Sequence, residues 1–505
     1  MRRTILGAVA AIILITPVLG QVPTAPTVPN PDTTPQGGAP GAGTSNPSRT
    51  PALDPNAQAL PGANGDSANL APDFDVERTI AASLQSSTAL ANARRILQAD
   101  LAREGIVRAE GRPNITASGS ATRYDAATII RTTPEAPPFV ALQDHSEQLT
   151  IGVSQRIDLT GQVRAATTQA RLQTLADQFT VDRFAQERVL LARTTFYNYL
   201  RATRQVQVNE AALRAVQSQR DIAKKLYEGG IGQKIDFLRA ETNVAAAEQD
   251  LTRARNDAEI SRAAFNNLVG RPLTAPINAK DVEGVAFGES NALSGTVGSN
   301  PPTPYTVPAA ELRIDPDSAI ETAQIRRPEV LQNAVLVRVA ETGVKLARAG
   351  QEPGFTLSAA GNYFPTTSFQ TPRERTAGIT ASLIIPLYDG GATRERVTEA
   401  RTRVETAKAN LESSKTDAAL FTRQAYLNVQ TAARQIDAAN AALAQALAAR
   451  QLAQIRYEGQ VGLFLEVTDA QAALVRAQNA QVNAVYDYLI ARARFANATG
   501  EPVQL

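Results

Sequence analysis

The chain has 505 residues, with 51 Lys+Arg against 49 Asp+Glu, for a formal net charge of +2. That balance supplies neither a basic face nor a basic run, so no nucleic acid is expected as a partner. Cys 0, His 1, Met 1 and Trp 0 remove disulfides, thiolate metal sites, cysteine nucleophiles and histidine triads, so neither an enzyme nor a cofactor is expected.

At the N-terminus, Arg2 and Arg3, an apolar core from Ile5 to Ile15, and the ending Val18-Leu19-Gly20 have the pattern of a signal peptide over residues 1–20. The apolar run is interrupted by Pro17 and is too short to span a bilayer comfortably. Residues 21–72 are rich in Pro, Gly, Ala, Asn and Thr and can bury little, which predicts disorder. No later run is long and apolar enough for a membrane helix, so any passage through a membrane has to be made by strands.

A repeat dominates the rest. Tyr227-Glu228-Gly229-Gly230-Ile231-Gly232 returns as Tyr457-Glu458-Gly459-Gln460-Val461-Gly462. Phe265, Asn267, Gly270 and Pro272 return as Phe495, Asn497, Gly500 and Pro502, all at one common spacing. Upstream the spacing widens, which puts an insertion in the first copy between Tyr124 and Leu149. The expected organisation is a first repeat over 73–272, a Pro/Gly-rich insert over 273–317 and a second repeat over 318–505.

Each repeat reads helix, two strands, long helix, turn, helix. In the first, strands are expected at about 113–124 and 147–158, where Leu149, Ile151 and Val153 alternate with Thr150, Gly152 and Ser154. In the second they are expected at about 353–364 and 377–387, with Ile379, Ala381, Leu383 and Ile385 in file. Strands of about ten residues suit tilted membrane spans. They equally suit two half-buried hairpins of a soluble domain. The long helices favour the first reading: 162–227 and 392–457 contain neither Pro nor Gly and would each reach roughly 100 Å. The flanking helices near 78–110 and 233–269, stacked end to end, match that length. Leu172, Leu175 and Phe179, then Val206 with Leu213 and Val216 with Ala223, step at heptad spacing and predict a narrow seam.

Four strands cannot close a barrel, and open edges in hydrocarbon leave backbone groups unsatisfied. Chains must therefore pool: two would give eight strands around a filled interior, three would give twelve around a lumen. The alternative without a pore is a periplasmic coiled-coil scaffold.

Taken with the element order, three motifs resemble the TolC-like outer-membrane efflux protein family: the duplicated turns Tyr227–Gly232 and Tyr457–Gly462, the Leu-Tyr-Asp-Gly-Gly run at 387–391, and the Phe-x-Asn-x-x-Gly-x-Pro endings. The resemblance covers about 78–502. It implies a mostly α fold in which long antiparallel helices form a periplasmic α-barrel. Four strands per chain would enter a trimeric twelve-stranded β-barrel in the outer-membrane lipid, and part of the insert would form an equatorial collar. The implied partners are a periplasmic adaptor protein and an inner-membrane pump, the channel itself being a passive duct for small toxic compounds or a secreted polypeptide.

The resemblance also implies site residues. Adaptor docking falls on the turns, at Gly229, Gly230, Ile231 and Gly232 and at Gly459, Val461, Gly462 and Leu463. An acidic ring at the periplasmic entrance falls on Glu466 and Asp469, with Asp236 and Arg239 at the equivalent places of the first copy. Simpler readings stand beside these. Acids in a first helical turn are favoured by the macrodipole. Tip glycines permit positive φ, and Tyr227 and Tyr457 serve either a gate or helix-end packing. The phosphate-loop look of Gly229–Lys234 is dismissed, because no strand precedes it and no Ser or Thr follows. His145 beside Asp144 is a lone loop histidine.

Overall fold

The computed structural model describes residues 73–131, 133, 137–281, 305–307, 315–365 and 373–502. The expected signal peptide, the expected disordered segment and the middle of the insert lie outside the described residues.

The chain is mostly helical. Asp75 accepts from the Arg78 amide to start α1 (Val76–Ser86), and Ser87 accepts from the Leu90 amide to start α2 (Thr88–Ala109). Strand β2 (Asn114–Arg123) and β5 (His145–Ile157) precede α3 (Gln162–Glu228) and α4 (Lys234–Leu268). In the second repeat, Asp315 caps α5 (Pro316–Arg326), Pro328 opens α6 (Pro328–Arg348), and β7 (Gly354–Tyr363) and β8 (Arg375–Ile384) follow. The chain then runs into α7 (Ala392–Glu458) and α8 (Phe464–Ala498). Both long helices have 67 residues and both partners 35. Helix α3 packs on α2, α4, α6 and α8, and α7 packs on α5, α6 and α8.

Where a strand hands over to a long helix, the N-cap is a glycine in the left-handed region, Gly161 (φ 79°) and Gly391 (φ 90°). A glycine has no side chain to cap with, and an upstream aspartate does so instead. Asp158 accepts from the amides of Val163 and Arg164, and Asp389 from those of Gly391 and Thr393. The hydrogen bonds from Thr393 hold the Asp389 carboxyl below the usual carboxylate range.

The helix seam is made of smaller residues than the heptad spacing suggested. Leu175 is 39% exposed and Leu172 and Phe179 are half-buried, while Thr174, Ala176, Val181, Ala185 and Ala192 fill the contact. Further along α3, Ala211, Ala212, Ala215 and Ala223 are buried, with Val206, Leu213 and Val216 flanking them. Alanines let the backbones approach, so the larger residues are displaced to the edges of the contact.

The main core lies midway along the helices, around Phe196, Phe265, Ile436, Tyr486 and Tyr488. Here β1 (Asp73–Phe74) pairs in parallel with β6 (Asn278–Ala279), and Phe74 meets Phe265 edge-on at 5.1 Å. The described ends of the insert are fastened to this core. Asp281 accepts from Arg204 Nη2 (2.5 Å) and from the Tyr486 hydroxyl (3.1 Å), and the Tyr305 carbonyl accepts from Asn440 (3.0 Å).

The four longer strands form one antiparallel sheet in the order β2-β5-β7-β8, so its centre joins the two repeats. Strand β5 begins at His145 and β8 at Arg375, two residues before the sequence ranges. The insertion in the first copy forms a small hairpin, β3 (Thr128–Ile130) with β4 (Phe139–Leu142). Runs of three and four residues are too short for alternation to register.

Candidate functional site

The two interhelical turns are the same structure built twice. In the first, the amides of Ile231 and Gly232 both donate to the Leu226 carbonyl at 3.0 and 2.8 Å. In the second, Val461 and Gly462 both donate to the Arg456 carbonyl at 2.9 and 3.0 Å. The glycines do different jobs. Gly230 takes the left-handed conformation (φ 71°), and Gln460 takes it in the second turn (φ 59°). Gly232 and Gly462 are required by contact: an added Cβ would sit 2.9 Å from the Cβ of Leu226 or Arg456, with backbone atoms close behind. Positive φ therefore accounts for only one tip glycine.

Apolar side chains project from both turns. Ile231 is 68% exposed, Val461 73% and Leu463 67%. Their spacing and exposure leave two apolar knobs at the end of the helical bundle.

Both tyrosines pack at helix ends, in different ways. Tyr227 stacks on Phe237 with ring planes 1° apart and centroids at 6.4 Å. Tyr457 tilts against Phe464 at 5.5 Å, and Phe464 is buried against Ala223 and Ala240 of the first repeat. The two tips are thereby brought together. Burial, and then the negative field of Asp236, push the Tyr457 phenol up from its ordinary value.

Asp236 and Glu466 each sit in the first turn of their helix, α4 and α8. Glu466 lies 3.7 Å from Arg456 Nε, and both side chains are about half exposed. Asp469 is exposed one turn further along α8, and Arg239 is exposed on α4. The sequence reading missed Arg456 as a partner for Glu466 and Phe237 and Phe464 as supports for the tyrosines. The signal for Arg456 was its place one residue before the repeated tyrosine.

The sheet is the second functional surface. Its pairing register puts cross-strand partners on one face. The odd-numbered rows Ile115–Val153–Ala359–Ile379 and Ala117–Ile151–Gly361–Ala377 are apolar, with Ile157–Phe355–Leu383 below them. The even-numbered rows Asn114–Ser154–Ser358–Thr380 and Ser118–Thr150–Asn362–Thr376 are polar. On the polar face Thr150 and Gln148 both donate to Asn362, at 2.8 and 3.3 Å. The outer strands β2 and β8 each keep one unpaired edge within this chain.

A family model described as outer membrane efflux protein matches residues 79–271 and 319–501, both repeats and nearly all of the described chain. The chain belongs to that family. Among its relatives is Protein CyaE of Bordetella pertussis, 27% identical over 54% of this chain and 63% of that protein. Outer membrane protein TolC of Escherichia coli is 23% identical over 67% of this chain and 66% of that protein. These matches thus span less than two thirds of the relatives' own lengths. Among solved structures, CusC aligns with TM-score 0.69 at 17% identity, over 85% of this chain and 93% of that one. VceC of Vibrio cholerae aligns with TM-score 0.65 at 19% identity, over 84% and 96%. These likenesses fix the fold of the family here, long helices continuing into membrane strands. Membership places the protein in the outer membrane, with the helical part on the periplasmic side.

Proposed function

We propose that the protein is a passive outer-membrane exit duct formed by three copies of the chain. The observation that carries this is the sheet: one face apolar, one polar, and both edges open within the chain. An open edge in hydrocarbon costs several kcal/mol per unsatisfied group, by an order-of-magnitude estimate of about 2–7 kcal/mol, so β2 of one copy closes on β8 of the next. Eight strands from two chains would fill their interior with side chains, whereas twelve from three leave a lumen lined by the hydroxyl and amide face. A coiled-coil scaffold without a pore has no use for a sheet with one lipid-compatible face.

The helical part continues the duct into the periplasm, where the two turns end it. The exposed Ile231, Val461 and Leu463 fit an adaptor protein's apolar hairpins, with Gly229, Gly230, Gly232, Gly459 and Gly462 shaping the turns. Glu466 and Asp469 would form the acidic constriction, partly offset by Arg456. An inner-membrane pump supplies the energy for passage through the duct. BepC of Brucella suis is named an outer membrane efflux protein and AprF of Pseudomonas aeruginosa an alkaline protease secretion protein. Both cargo classes, small toxic compounds and a secreted polypeptide, therefore suit this reading.

The test is mass and conductance in one purified sample. A heat-modifiable trimer from outer-membrane fractions that conducts ions in planar bilayers is expected; a non-conducting monomer overturns the proposal. Glu466→Ala combined with Asp469→Ala is expected to weaken block by multivalent cations. Unchanged block would remove the acidic constriction while leaving the duct.

A further inference from the structure

Arg156 carries the one charge on the polar face of the four-stranded sheet. Apart from Ile384 at the end of β8, every other residue paired on that face is Ser, Thr, Asn, Gln, Gly or Ala. Arg156 pairs with Thr356, which pairs with Ser382, in a row near the end of the sheet that adjoins the helices. Its guanidinium donates to the side-chain amide oxygen of Gln162 at the start of α3, a neutral partner. The carboxylate nearest in sequence, Asp158, is engaged by the amides of Val163 and Arg164. The charge of Arg156 is exposed and has no local cancellation from these groups.

We infer that Arg156 forms an anion-binding ring at the inner end of the barrel, selecting for multivalent oxyanions as they cross between the helical duct and the barrel. The inference rests on the trimeric duct proposed above, because threefold symmetry turns one Arg156 per chain into three around a lumen. The physical case has two parts. A neutral wall of hydroxyls and amides does nothing to screen a fixed charge, and a low-dielectric barrel focuses its field along the axis. Guanidinium presents a planar fork of donors matched to phosphate and carboxylate oxygens, so the ring binds such groups as well as attracting them.

The test uses the full-length trimer in planar bilayers, with inorganic tripolyphosphate added from the barrel side. The wild type is expected to be blocked, and Arg156→Gln to weaken that block about tenfold and shift the reversal potential in a KCl gradient toward cations. Arg156→Lys keeps the wild-type reversal potential and loses part of the block. Arg375→Gln, on the apolar face, leaves both readouts unchanged. Equal block in wild type and Arg156→Gln, or an equal loss in Arg375→Gln, overturns the ring while conduction itself upholds the duct. A trimer that does not conduct fails the duct reading, and the ring falls with it.

Discussion

Gly232 and Gly462 matter for the space they leave. In each turn an added Cβ would lie 2.9–3.2 Å from atoms at the end of the long helix, so only glycine lets the chain return this closely. Gly232→Ala must push the backbone of Leu226 and Tyr227 aside, at about 1–3 kcal/mol. Gly230→Asn is expected to be tolerated, because Asn accepts the left-handed region and Gln460 already occupies it in the second turn. Amide hydrogen exchange over 226–232 checks both: faster in Gly232→Ala, unchanged in Gly230→Asn. The sequence could mark these glycines through their repetition but not divide their labour, since conformational need and steric need leave the same letter. The aspartate caps were hidden for a related reason. Asp158 stands three residues before its glycine and Asp389 two before, so the repeat does not align them.

Among the elements, the joint where α1 and α4 end is held by one side chain from α3. Arg188 donates to the Ser83 carbonyl (3.1 Å), the Ser86 hydroxyl (3.3 Å) and the Leu268 carbonyl (2.6 Å). The carbonyl ends of two helices stabilise a cation there in place of a carboxylate. Desolvation lowers the guanidinium's pKa, yet it stays charged at any usable pH. Arg188→Ala strips partners from buried carbonyls and is expected to cost about 2–4 kcal/mol. A lower thermal midpoint in detergent, with Arg188→Lys recovering only part of it, is the measurement. The second repeat has Ala418 at the corresponding place and instead ties Thr422 Oγ1 to the Ala498 carbonyl at 3.1 Å. Long helices and alternating strands were readable in the sequence because they carry many periods. The β3–β4 hairpin and the Arg188 joint were not, because each depends on contacts that no local period encodes.

At the scale of the molecule, the two faces of the sheet make opposite demands on neighbouring residues. Val153 belongs to the apolar face and Ser154 to the polar one. Val153→Arg places a cation against lipid, at about 2–4 kcal/mol near the bilayer midplane. It is expected to reduce heat-stable trimer in outer-membrane fractions, whereas Ser154→Arg leaves the yield near wild type. Equal losses would mean that both faces are packed against protein. The mostly helical fold with membrane strands was legible from residue alternation, helix length and the repeated motifs together. The open edges of β2 and β8 were legible only as a demand for closure, since no pattern within one chain names what pairs with them.

Because α3 and α7 are equally long, and α4 and α8 likewise, the two hairpins stop at a common level. Lengthening α7 alone by two turns would push one set of tips about 11 Å past the other and spoil a flush seating against anything beneath. Changes in reach must therefore come in lockstep, in all four helices at once, so that this conduit grows or shrinks in whole increments shared by both halves of the chain.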